Sequence, residues 1–333
     1  MKGPVVPDPE IFDVAIIGAG PAGLAAGLYT SRDRYSTLML EKNGLPGGQI
    51  MLTDRIENYP GWESVGGPEL VDHMVAQVRN FGTAILTGRE VTGLKRRDDG
   101  ILIVEVNAGE STFLSRAIIL CPGSNYRQLG VPGETEMRQI GKVSYCATCD
   151  GPFYRDKSIL AIGGGNTAVQ DAIYLAARFA KKTTLVHRRT EFRAQKVLVE
   201  ELYEKAPRHN IEIKVPYVVE RIVGSADGTA LDFVEVRNVR TGDVERVKVD
   251  GVFVFVGMVP NTGFLQGFVG IDRNGYIECE TTHLRTRVPG VFVAGDCRVA
   301  AAMQLATACG DGVTAAMMLK EYLRDPRWWH TVV

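Results

Sequence analysis

Phe12-Asp13-Val14-Ala15-Ile16-Ile17-Gly18-Ala19-Gly20-Pro21-Ala22-Gly23 is the stretch that decides the fold. Residues 12–17 are a short apolar run, of the kind buried as a parallel strand. A glycine loop follows at once, and residues 22–29 are helix-forming. In that strand–loop–helix context Gly18 makes the tight turn and Gly20 lets a pyrophosphate approach the backbone. Gly23 lets helix and strand pack closely. The helix N-terminus then faces the phosphates. Residues 37–40 form the next strand, and Glu41 stands at its end, 23 residues after Gly18. That is where an acid grips a ribose hydroxyl. A lone G-x-G-x-x-G also occurs as a structural turn; the strand, the helix and the acid together favour a dinucleotide.

The pattern returns in the second half of the chain. Residues 158–162 read as a buried strand, Gly163-Gly164-Gly165-Asn166-Thr167-Ala168 as the loop, and residues 167–180 as the helix. Val169, Ala172, Ile173 and Ala176 share one helical face. The strand after it, residues 183–186, does not end in an acid. It runs into His187-Arg188-Arg189-Thr190-Glu191-Phe192-Arg193-Ala194. Guanidinium groups at this position suit a 2′-phosphate and leave the acid-dependent mode of NAD without its partner, which points to NADPH. A basic cluster elsewhere would be an ordinary solvated face.

Between the loops lies Cys146-Ala147-Thr148-Cys149-Asp150. Two cysteines at this spacing can close and reopen a small disulfide ring, and such a motif tunes one thiol towards thiolate. The adjacent acid can give or take the proton of each half-reaction. The pair is also half of a zinc site or an inert pair. A zinc site needs four ligands; Cys121, Cys279, Cys297 and Cys309 are isolated and the five histidines scattered, so no metal is expected. A dithiol between two dinucleotide sites reads as an electron relay.

Composition agrees. A chain of 333 residues is comfortable for two domains, and 45% hydrophobic with 23% charged residues is ordinary for a globular protein. A net charge of −1 suggests neither nucleic acid nor an anionic membrane as partner. Six cysteines are too few for a disulfide scaffold and suit a reducing cytoplasm. Residues 1–10 carry three prolines and no apolar core of a signal peptide, and no apolar run reaches membrane-spanning length.

The rest of the chain reads as follows. Gly47-Gly48-Gln49 and Glu57-Asn58-Tyr59-Pro60-Gly61-Trp62 are loops, the second rich in groups able to bond a cofactor. Residues 68–81 are helical, and 91–109 form a hairpin turning at Asp98-Asp99-Gly100. Residues 116–120 are a strand entering Cys121-Pro122-Gly123-Ser124. Residues 211–215, 231–238 and 244–256 are strand-like, with a turn at Thr241-Gly242. Val291-Phe292-Val293-Ala294-Gly295-Asp296 is an apolar strand with a terminal acid, and residues 310–322 are helical.

In order and spacing, C-A-T-C-D, G-G-G-N-T-A, H-R-R-x-x-F-R-A and the late G-D resemble the low-molecular-weight, bacterial-type thioredoxin reductase family over nearly the whole chain. The resemblance implies an α/β protein of two Rossmann-like three-layer dinucleotide-binding domains, of the class II pyridine nucleotide-disulfide oxidoreductases. It implies a homodimeric, cytoplasmic flavoprotein. Residues 1–127 and 253–333 would form the FAD domain, interrupted by an NADPH domain over 128–252. It assigns Cys149 as the flavin-facing thiol, Cys146 as the thiol that attacks the partner disulfide, and Asp150 as acid/base. FAD contacts map onto Gly18, Gly20, Gly23, Glu41, Gln49, Asn58, Asp296 and Gln304. NADPH contacts map onto Gly163, Gly165, Asn166, Thr167, Arg188, Arg189 and Arg193. The implied partner is a thioredoxin-like protein, whose disulfide sits near roughly −270 mV.

Three departures stand out. Cys121-Pro122-Gly123 replaces an A-T-G turn, Met303-Gln304-Leu305 replaces Arg-Gln-Ala, and the chain ends Arg327-Trp328-Trp329-His330-Thr331-Val332-Val333. Losing the Arg removes a charge from near the flavin. That keeps open a ferredoxin or other flavoprotein donor; a nucleotide-binding redox sensor without turnover is the reading from another class. The tail has two readings: an apolar end docked on its own domain or the dimer partner, or an aromatic plug reaching a flavin.

Overall fold

In a computed structural model, the described residues are 11–53 and 55–331. The proline-bearing start of the chain and Val332-Val333 lie outside them. The chain forms two compact units. One takes the residues through Asn125 and from Val259 onward; the other is Tyr126–Met258.

The first unit is built on a largely parallel sheet. Its strands run in the order Ala84–Leu86, Thr37–Leu40, Ile11–Ile17, Ser111–Leu120, Leu102–Val106, Val91–Arg96. The strand Ser111–Leu120 changes neighbour along its length. Its first half pairs antiparallel with Leu102–Val106, and its second half pairs parallel with Val291–Val293. Side chains alternate across the sheet. Val14 and Ile16 face a core closed by Pro21–Arg32, Gly67–Asn80 and Leu305–Arg324. Ala15 and Ile17 face a second core with Leu94, Val104, Leu265 and Ile277. The result is three layers. Phe292, fully buried at its centre, contributes about 1.5–3 kcal/mol by burial alone.

The second unit repeats the plan. Its five-stranded parallel sheet runs Ile211–Lys214, Lys182–Val186, Ser158–Ile162, Gly251–Val254, Val143–Ser144. One face packs on the helices Asn166–Arg178 and Lys196–Lys205, the other on an antiparallel sheet of Tyr217–Gly224, Leu231–Asn238 and Val244–Val247.

The one strand expected over 244–256 is two, in different sheets. Asp250 makes the break: its N–H donates to Ser158 O (2.7 Å) while its carboxylate accepts from Ser158 N (2.8 Å). That anchors Gly251 beside Ser158–Ile162 and leaves Val247 in the antiparallel sheet. The strand Gly251–Val254 therefore lies wholly in the second unit. The final long helix also starts earlier than its pattern suggested. Gln304 caps it reciprocally with Thr307, so it spans Leu305–Arg324.

The tail packs on its own unit. Trp329 is buried, with its ring 5.0 Å from Phe292 and 5.4 Å from Tyr322, and its carbonyl accepts from Arg285 Nη1 at 2.7 Å. The helices Pro21–Arg32 and Leu305–Arg324 run side by side in one direction. Gly312 abuts Ala22 near one end, and Lys320 pairs with Asp33 (2.9 Å) near the other. Cys309 Sγ bonds Pro21 O (3.8 Å) at the glycine-loop end. From there to Arg324 the helix carries the chain roughly 20 Å away. The tail thus lies about a helix length from its own chain's first glycine loop, docked on its own unit. Packing on Phe292 and Tyr322 holds it there.

Candidate functional site

In the first unit the expected residues converge on the C-terminal ends of the parallel strands. Gly18 has φ +104°, and a Cβ there would sit 2.2 Å from Cys121 O; the loop passes too close to the strand after Leu120 for any side chain. At Gly23 a Cβ would meet Gly18 O at 2.0 Å, so the helix starts tight against its own loop. Gly20 has open space where a Cβ would stand, at the N-cap of the helix. That is the opening a pyrophosphate needs. Glu41 is buried. Its Oε2 accepts from Ala19 N (2.9 Å), and its Oε1 accepts from Asn43 N (2.9 Å) and Asn43 Nδ2 (2.8 Å). The acid is therefore clamped at the loop.

Other segments close on the same place. Gly47 N donates to Ala19 O (2.8 Å), which brings the Gly47-Gly48-Gln49 loop against the first. Gln49 Nε2 donates to Ser124 O (3.1 Å) and Asn125 Oδ1 (2.6 Å). Ser124 Oγ donates to the carbonyl of Asp296 (2.5 Å), and Asn58 Nδ2 donates to Gln304 Oε1 (3.3 Å). Gly18, Gly20, Gly23, Glu41, Gln49 and Asp296 are thus tied together around the first glycine loop, while Asn58 and Gln304 pair with each other. Asp296 Oδ1 is buried with no partner among the described residues. Burial, then the charge of Asp311, pushes its carboxyl up to about 6. An orphaned acceptor beside an open glycine loop fits a nucleotide cofactor bearing a hydroxyl donor.

Sequence reasoning missed the groups that hold this corner. Arg298 donates twice to Asp311, at 2.7 and 2.8 Å, and Asp311 Oδ2 also accepts from Gly295 N at 3.0 Å. Asn125 Nδ2 donates to Asn261 Oδ1, and Asn261 Nδ2 to Pro122 O. Their partners are distant in sequence, so no local pattern marks them.

In the second unit Gly163 sits where a Cβ would be 2.4 Å from Phe255 O, and Gly165, the N-cap of Asn166–Arg178, is open. Asn166 and Thr167 form the exposed first turn, with Asn166 Oδ1 accepting from Gln195 N (2.9 Å). The basic run folds back over this loop. Arg193 N and Ala194 N both donate to Gly164 O, at 2.7 and 3.2 Å. The His187 ring stacks on Phe192 and occupies the space a Gly164 Cβ would need. Burial, with the nearby arginines, holds the His187 pKa below its usual value. Arg188, Arg189 and Arg193 are exposed, and their side chains make no salt bridge among the described residues.

Cys146 and Cys149 form a disulfide (Cα–Cα 5.3 Å) at a one-turn helix, Ala147–Asp150. Cys146 caps it; its Sγ accepts from Cys149 N (3.2 Å). Both cysteines are half-buried. Asp150 Oδ2 accepts from Ser144 Oγ (2.6 Å), a residue that sequence reasoning missed. Among the described residues no cluster of ligands suited to a metal is present. The disulfide belongs to the same unit as the second glycine loop.

Two glycine-loop nucleotide folds and one vicinal disulfide define a nucleotide-dependent disulfide oxidoreductase. Residues 12–312 match the model of the pyridine nucleotide-disulphide oxidoreductases. A thioredoxin reductase of Listeria innocua is 40% identical over 320 residues, 95% of each chain, and one of Bacillus subtilis 40% over 319, 95% of this chain and 96% of that one. The crystal structure of a Streptococcus pyogenes thioredoxin reductase superposes with a TM-score of 0.87 at 38% identity, covering 94% of this chain and 98% of that one. The chain belongs to the pyridine nucleotide-disulphide oxidoreductases and, within them, to the low-molecular-weight thioredoxin reductase family.

Proposed function

We propose that this protein is an FAD-containing thioredoxin reductase that draws its electrons from NADPH. The observation that carries the reading is the Cys146–Cys149 disulfide on a unit whose glycine loop is rimmed by Arg188, Arg189 and Arg193, in a chain 40% identical over 95% of its length to thioredoxin reductases. The first glycine loop, with Glu41, Gln49, Asn58, Asp296 and Gln304, is the FAD site. The second, with Gly163, Gly165, Asn166, Thr167 and the three arginines, takes NADPH. FAD supplies the two-electron carrier between nucleotide and disulfide. The net reaction takes NADPH, a proton and oxidised thioredoxin to NADP⁺ and the thioredoxin dithiol.

The chain's own residues then divide the work. Cys149 is the sulfur that would take the flavin's electrons. Cys146, as thiolate, attacks one sulfur of the thioredoxin disulfide and expels the other, leaving a mixed disulfide. Cys149 attacks Cys146 Sγ in that link, which restores the intramolecular disulfide and frees the second thioredoxin thiol. Asp150 supplies and recovers the proton. The unpaired arginines favour NADPH over a ferredoxin donor, and the residues required for turnover are all present, which disfavours a silent sensor. A homodimer in the cytoplasm fits the family; no helix among the described residues is long and apolar enough to cross a membrane.

The test is anaerobic mixing with NADPH, then with oxidised thioredoxin. Flavin absorbance should bleach and then return with thiol release. In Cys149→Ser the bleaching should persist and thiol release should vanish. A flavin that NADPH leaves oxidised, or a Cys149→Ser variant that turns over normally, overturns the reading.

A further inference from the structure

We propose that Ser144 is the positioning residue of the disulfide centre: one hydroxyl that partners the Asp150 carboxyl in both of its protonation states. The inference rests on the reading of Asp150 as the acid/base. Ser144 is buried at the end of the strand Val143–Ser144. Its Oγ lies 2.6 Å from Asp150 Oδ2, 3.1 Å from Cys146 N and 3.3 Å from Cys146 O. A hydroxyl carries one proton and two lone pairs. Cys146 N–H donates into one lone pair in every state.

The remaining proton and lone pair serve two alternatives. With Asp150 ionised, the hydroxyl donates to Oδ2 in a short, charge-assisted bond. With Asp150 protonated, the acid donates into the free lone pair, and the hydroxyl proton turns to Cys146 O. Neither state leaves the hydroxyl or the carboxyl unpaired, so the acid cycles without the penalty of an orphaned partner. Tyr154 is an ionisable neighbour that feels the charge of Asp150. Its phenol donates to Gly141 O (2.7 Å), and burial holds its pKa above the usual value, so it stays neutral. Leu175 and Phe179 present apolar atoms beside Gly151. When the Cys146–Cys149 bond takes an electron pair and breaks, one sulfur receives the proton of Asp150. Ser144 then turns its O–H, keeping the proton, to donate a hydrogen bond to the new carboxylate; re-oxidation reverses both moves.

The experiment uses flavin-loaded, full-length enzyme bearing Ser144→Ala, Ser144→Val and Ser144→Thr, each with and without Asp150→Asn. It reads kcat for a thioredoxin disulfide against pH, and the rate at which iodoacetamide alkylates the reduced dithiol against pH. Losing the donor to a carboxylate favours its neutral form. Alanine and valine should therefore lower kcat about tenfold and move the acid limb of both profiles up by about one unit, equivalent to about 1.4 kcal/mol. Threonine, isosteric with valine, should restore both, and in the Asp150→Asn background alanine should cost less than twofold more. Valine stands in where alanine fails to fold. If Asp150→Asn acts but the Ser144 variants leave the limb in place, or their effects multiply, the positioning role is wrong. If Asp150→Asn itself changes neither profile, the reading of Asp150 fails and this inference falls with it.

Discussion

Asp311→Asn is the change expected to cost most for its size. The Asp311 and Arg298 side chains are only 14% and 12% exposed, and the guanidinium meets both carboxylate oxygens. Neutralising the acid leaves a largely buried guanidinium without its counter-charge. Breaking a buried pair this way costs about 3–5 kcal/mol; asparagine keeps one acceptor for Arg298, so we place the loss near ~3 kcal/mol. At about 2–4 °C per kcal/mol for a unit of this size, Tm should fall by roughly 6–12 °C. The same change releases Gly295 N, whose bond to Asp311 Oδ2 (3.0 Å) fixes the turn that presents Asp296. Flavin retention should weaken as well. Calorimetry with and without added FAD separates the two effects. The double change Arg298→Met with Asp311→Leu should regain much of the stability, since an apolar pair carries no buried charge. A single variant within about 2 °C of wild type, or a double variant less stable than the single one, refutes the reasoning.

Other consequences follow from the same groups. Burial, then the charge of Asp311, raises the folded-state carboxyl of Asp296 to about 6, so its contribution to stability is full below its unfolded value and lost as pH rises through about 6; Asp296→Asn should raise the Tm of flavin-stripped protein at pH 7 and flatten its fall between pH 4 and 7, and an unchanged pH profile would contradict this. Arg188→Ser with Arg189→Ser should lower kcat/KM for NADPH by about 10²-fold to 10⁴-fold and leave NADH nearly unchanged, at roughly 1.5–3 kcal/mol for each of two charged contacts; equal losses for both nucleotides would move the phosphate site elsewhere. Trp329→Ala should cost about 3–5 kcal/mol in thermal unfolding, as the buried ring leaves Phe292 and Tyr322; a faster reduction by NADPH with no loss of Tm would instead support the plug.

What was legible in the sequence was whatever repeats locally. The apolar runs at residues 12–17 and 158–162, the glycines after them and the spacing to Glu41 each lie within one strand–turn–helix unit. The strands Ile11–Ile17 and Ser158–Ile162 stand where that pattern puts them. The strand Tyr217–Gly224 was missed because Glu220 and Arg221 interrupt its alternation at a register shift. The short helices Glu134–Gln139 and Lys196–Lys205 were missed too, each under three turns long and half made of charged residues. At the site, Ser144 lies two residues before a cysteine, a spacing with no periodic meaning. Asp311 acts on Gly295 and Arg298 only because its helix lies alongside Pro21–Arg32. Such contacts exist only once tertiary structure forms.

The two glycine loops share a backbone plan and differ in charge at the end of the next strand, and on the function proposed above that difference sorts the nucleotides. At the first loop Glu41 is buried and spends its oxygens on Ala19 and Asn43, so it stays fixed where a ribose hydroxyl would donate. A 2′-phosphate placed there would face a like charge. At about 4 Å and an effective dielectric of about 20, one pair of unit charges repels by about 4 kcal/mol, close to a thousandfold in affinity. At the second loop the strand ends at Val186 and the chain continues into His187, Arg188 and Arg189, where the same phosphate gains attraction and a ribose lacking it gains nothing. On the function proposed above, the acid keeps NADPH out of the first site and the arginines draw it to the second. The order of carriers, nucleotide to flavin to Cys146–Cys149, then depends on two strand ends as much as on the disulfide itself.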